Sequence, residues 1–97
     1  MSRRKNEMNL GEAIEAWLQE TGMKEKVQVQ KIINGWPRIM GEAISRNTER
    51  IWFNEGTLHI KLSHPMWRNE LQLARTKIKE MANREIQAQL VQDVKIH

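Results

Sequence analysis

Three histidines, three serines and no cysteine bound the chemistry open to this chain. His59, His64 and His97 are scattered, and no H-x-x-x-H or comparable spacing exists to ligate a metal. Ser2, Ser45 and Ser63 have no histidine that spacing nominates as a base. Gly11, Gly22, Gly35, Gly41 and Gly56 fit neither a phosphate loop nor a dinucleotide fingerprint. Without thiols, disulfides, thiolate nucleophiles and cysteine-held zinc are excluded. The sequence therefore predicts a non-enzyme with no metal and no cofactor.

Docking chemistry is better represented. If Leu58, Ile60 and Leu62 of an alternating run face a core, His59 and Lys61 face the other way. Trp52 of the preceding run, and Lys95 and His97 near the end, join that side. An indole among cations and imidazoles suits stacking of unpaired bases with neutralisation of phosphates. A cover for Trp52, from the N-terminal arm or a second copy of the chain, fits the same pattern. Farther on, Arg68, Arg75 and Lys79 recur at seven and four residues with Gln72 between, and Arg84 follows. Such a stripe can track a phosphate backbone, or simply be a solvated helix face beside Glu70 and Glu80.

These residues need elements to hold them. Leu10, Ala13, Ile14, Trp17 and Leu18 give an amphipathic helix, with Asn9 and Glu12 as a capping box and Gly22 as its stop. Val29, Ile32, Ile33 and Trp36 mark a second helix, interrupted at Asn34-Gly35 and Pro37, with a short continuation to about Arg46. Trp17 and Trp36 lie on apolar stripes and are assigned to the core. Residues 50 to 63 read as an antiparallel hairpin turning at Asn54-Glu55-Gly56. Pro65 suits the first position of a long helix capped by His64 or Ser63, on which Trp67, Leu71, Ala74 and Ile78 share a face. Trp67 can serve that core or, with Arg68, a partner surface. A short helical piece from Ile86 to Leu90 and a last strand with Val94 and Ile96 inward complete the order ααββαβ. The expected fold is α+β in two layers, a three-stranded sheet with helices packed on one face.

The chain has 97 residues, room for one core. With 39% hydrophobic and 29% charged residues it is globular rather than disordered. Residues 1–8 are expected to be a flexible basic arm and 9–97 a single domain. No apolar run is longer than three residues, as in Ile51-Trp52-Phe53, so no membrane span is expected, and the missing apolar leader points to the cytoplasm. A net charge of +4 favours a polyanionic partner.

Trp36-x-x-Ile39-Met40-Gly41-x-x-Ile44, Thr48, Gly56-x-Leu58-x-Ile60-x-Leu62 and Trp67-Arg68-x-Glu70-Leu71 together resemble the DciA family, over about Leu10 to Ile96. That resemblance implies a KH-like domain in a bacterial accessory protein that binds the replicative helicase and DNA, single-stranded or tailed, at replication initiation. It makes Trp67, Arg68, Glu70 and Leu71 candidates for the helicase contact. Trp52, His59, Lys61, Arg75, Lys79 and Lys95 are the nucleic-acid candidates from the residues themselves. The chain departs from the family in having Glu49-Arg50 where a proline often follows the Thr48 position. It also lacks the G-x-x-G loop with which true KH domains clamp nucleic acid. A nucleic-acid module without a helicase partner, and a homodimer burying the sheet face, are the other functions the residues allow.

Overall fold

The computed structural model describes residues 9–97, and the basic arm expected over residues 1–8 lies outside them. Helix α1 (Leu10–Thr21) starts at the expected capping box: Asn9 Oδ1 accepts from the Glu12 amide at 2.7 Å. Gly22, at φ +74°, ends α1 and immediately begins α2 (Met23–Asn34). A left-handed residue is what lets one position serve both helices.

Beyond Gly35 the predicted continuation is two short helices, α3 (Trp36–Met40) and α4 (Glu42–Arg46). Pro37 sits in the first turn of α3, where its missing N–H is harmless. Gly41 separates the helices at φ +89° and ψ 161°, a conformation open almost only to glycine.

Strands β1 (Thr48–Asn54) and β2 (Thr57–Leu62) form the expected antiparallel hairpin. Glu55 and Gly56 both take positive φ, as the favoured two-residue turn demands. The register slips between Thr48 and Arg50, where β1 spends an extra residue. This bulge reverses the facing of everything before it. Arg50 and Trp52, after the bulge, point to the open face by plain alternation, while Thr48, before it and opposite the buried Leu62, points to the helices.

The long helix predicted from Pro65 is two, α5 (Pro65–Leu73) and α6 (Arg75–Ile86), parted at Ala74, whose φ of −105° and ψ of 13° leave the helical region. His64 caps α5, its Nδ1 accepting from the Met66 amide at 3.2 Å. The helical piece expected over Ile86–Leu90 is also corrected. Helix α6 ends at Ile86 with Gln87 in the left-handed region, and the chain then runs irregularly to β3 (Asp93–Ile96). Asn83, a buried polar residue of α6, fixes that stretch by donating to Val91 O at 2.9 Å and accepting from Val91 N at 2.8 Å. Strand β3 then pairs parallel to β2, giving the order β1-β2-β3.

Ile32, Trp36, Leu58, Ile60, Leu62, Leu71, Ile78, Ala82, Val94 and Ile96 meet between sheet and helices. This is the predicted two-layer α+β arrangement, with one sheet face covered. Trp36 is core as expected. Trp17 is not: it is 56% exposed, and α1 contributes no buried residue. Helix α1 packs chiefly against α2, so its stripe overhangs the body of the domain.

Candidate nucleic-acid interface

The open sheet face is built row by row from the strand register. Trp52 lies opposite His59, and His59 opposite Lys95, so three of the predicted residues form one row across the sheet. Their side chains point away from the helices because Ile51, Leu58, Ile60, Val94 and Ile96 point toward them.

The aromatic groups on this face form a cluster. The Trp52 and His59 rings are stacked with centroids 5.0 Å apart and planes 4° from parallel. His97, one position past the end of β3, lies 5.1 Å from Trp52 and 5.2 Å from His59. Nδ1 of His59 is 2.9 Å from Nε2 of His97, one ring donating to the other. The backbone fixes the last residue in place: His97 N donates to Ile60 O at 2.8 Å, and Leu62 N to His97 O at 3.0 Å. The Arg50 guanidinium lies 4.6 Å from the Trp52 ring centroid, a cation–π contact.

Electrostatically the row is cationic but uneven. Lys95 is exposed. Lys61 is partly offset by Glu49, 3.4 Å away across the bulge. His59 titrates below its ordinary 6.5, first because burial penalises the imidazolium and then because His97 and Lys95 stand close. At neutral pH it is thus a flat stacking surface rather than a cation.

The remaining nucleic-acid candidates lie apart from the row. Arg75 and Lys79 open α6 and line a shallow depression with Thr76, Gln92 and Asp93 beside the start of β3. Arg75 Nε donates to Gln72 O at 3.1 Å across the α5–α6 break. Arg68 is on the other helix, so the single stripe expected of Arg68, Arg75 and Lys79 is divided by Ala74.

At the start of α5, Trp67 is half-buried against the core, Arg68 is partly exposed and Glu70 fully so. Leu71 is 4% exposed and belongs to the core, which corrects its placement on a partner surface: its work is to anchor α5. Arg50 was not singled out as a contact residue, although strand alternation alone puts it on the same side as Trp52. Among the described residues no group of three His, Asp or Glu side chains is placed to hold a metal. None of the described helices is long and apolar enough to cross a membrane.

No curated protein and no solved structure shows a match to this sequence. The family model described as "Dna[CI] antecedent, DciA" matches residues 9–96, nearly the whole chain. Within that range Trp36, Gly41 and Thr48 of this chain shape the α3–α4–β1 corner, and Gly56 the hairpin turn. The protein belongs to the DciA family, whose role lies in replicative-helicase loading and not in catalysis.

Proposed function

We propose that this protein is a cytoplasmic, non-enzymatic replication accessory that holds single-stranded or tailed DNA on its open sheet face while engaging the replicative helicase. Membership of the family over residues 9–96, together with a cation-flanked aromatic cluster on a face that none of the described helices covers, supports it. An unpaired base stacks on the Trp52–His59–His97 cluster. Arg50 leaves the indole for a phosphate, and Lys95 meets a second one. Arg75 and Lys79 extend the electrostatic track past β3. The exposed parts of Trp67, Arg68 and Glu70 meet the helicase, held in place by Leu71 beneath them.

The test uses the full chain, fluorescently tagged tailed DNA and purified replicative helicase from the same organism. DNA affinity should fall with salt, with a log–log slope of about 0.7–0.9 per phosphate neutralised. Trp52→Ala should weaken DNA binding by roughly tenfold or more, on the order of one stacked base. Arg68→Ala with Glu70→Ala should weaken helicase binding and leave DNA binding alone. Salt-independent or undetectable DNA binding would remove the sheet face from the proposal, and a helicase that ignores the wild-type chain would remove the accessory role.

A further inference from the structure

We infer that α1 is a self-docking arm: its apolar stripe inserts into the groove between α3 and α6 of a second copy of this chain, reciprocally. Leu10, Ile14 and Trp17 are spaced by four and three residues and so share one helix face. They are 77%, 49% and 56% exposed. Large apolar side chains gathered on one exposed face mark a contact surface.

Charge selects the occupant. Glu12, Glu15 and Glu20 are the only charged residues of α1, in a chain whose net charge is +4; Glu15 pairs with Lys24 of α2, so Glu12 and Glu20 carry the negative character of the arm. The stripe therefore fits an apolar groove with a cationic rim. The same chain carries one, where the half-buried Ile39 of α3 and Met81 of α6 are bordered by Arg38, Arg84 and Glu85. Arg38 is paired with Glu85 there, so the cationic character of the rim rests on Arg84. Pairing α1 against α1 would instead bring both sets of glutamates together, which like-charge repulsion opposes. Exchange of two arms about a two-fold axis closes the assembly and repeats every contact. Gly22, the single residue between α1 and α2, sets the direction of the arm.

Sedimentation velocity of the full chain from low to high micromolar concentration tests this. A monomer–dimer equilibrium is expected, shifted toward monomer by Trp17→Ala and separately by Met81→Glu, with Arg84→Glu as a surface variant in case Met81→Glu disturbs the fold. Circular dichroism of each variant should match the wild type. The decisive measurement mixes two monomeric variants. Trp17→Ala keeps an intact groove and Met81→Glu (or Arg84→Glu) an intact arm, so the mixture should regain dimer through one remaining contact. A wild-type chain that stays monomeric at every concentration overturns the inference, as does a dimer indifferent to Trp17→Ala or a mixture that stays monomeric. Loss of helicase binding in Trp17→Ala, from a wild type that never dimerises, would assign the stripe to that partner and equally overturn self-docking. The accessory function would survive any of these results.

Discussion

Trp36 and Thr48 are joined by a side-chain hydrogen bond, with the indole Nε1 donating to Oγ1 at 2.9 Å, and Thr48 passes its own proton on to Ile44 O at 2.7 Å. The relay links α3, the end of α4 and the first residue of β1 around an indole that is only 2% exposed. It exists because the bulge turns Thr48 inward. Thr48→Val keeps the shape and removes both bonds, leaving a buried N–H unpaired. Chemical denaturation should show a loss of about 1–3 kcal/mol. Adding Trp36→Phe to that variant should cost less than Trp36→Phe alone costs the wild type, since the donor has already lost its acceptor.

Asn83 substitutes for a strand partner along the irregular stretch before β3. Asn83→Ala should lower stability by about 2–4 kcal/mol, since it deletes two buried hydrogen bonds to Val91 and strands both backbone groups. Hydrogen exchange at the Val91 amide should accelerate more than exchange in the β1–β2 hairpin. Uniform acceleration in both places would show that the stretch has no independent stability.

Gly41→Ala separates backbone strain from crowding. No atom lies within 4 Å of where the new Cβ would stand, so any cost comes from φ +89° and ψ 161° alone. A loss of about 1–3 kcal/mol in thermal or chemical unfolding is expected. An unchanged midpoint would mean that the α3–α4 corner re-forms in another conformation.

His59 makes stability depend on pH. Its folded-state pKa is lowered, so the unfolded chain takes up the proton first as pH falls. Its contribution is complete above the ordinary value of 6.5 and is lost as pH drops from there through the lowered value. The melting temperature should fall between about pH 7.5 and about pH 5, and His59→Phe should flatten that fall while preserving the stack on Trp52. DNA binding should move the opposite way, strengthening in acid as the His59 imidazole acquires charge.

Much of this architecture can be read from local rules. Asn9 with Glu12, Gly22, Pro65 after His64, and Glu55-Gly56 each carry a signal with one physical meaning, and each stands where the rule puts it. The alternation of Leu58, Ile60 and Leu62 oriented the sheet and hence the row of Trp52, His59 and Lys95. What escaped depended on distant parts of the chain. Leu73-Ala74-Arg75 consists of good helix formers, and nothing local marks the break between α5 and α6. The parallel pairing of β3 joins residues some 36 positions apart, Leu58 with Val94 for instance. Periodicity announced that α1 has an apolar side without saying what covers it, so Trp17 was credited to a core it does not enter.

The sealed interior begins at Ile32 of α2, and α1 joins α2 through a single left-handed residue, Gly22. Substitutions along α1 therefore draw little on the free energy that keeps the domain folded. Drift there would be disciplined by companionship alone: a change at Leu10, Ile14 or Trp17 would alter whom the protein meets long before it altered whether the protein stands.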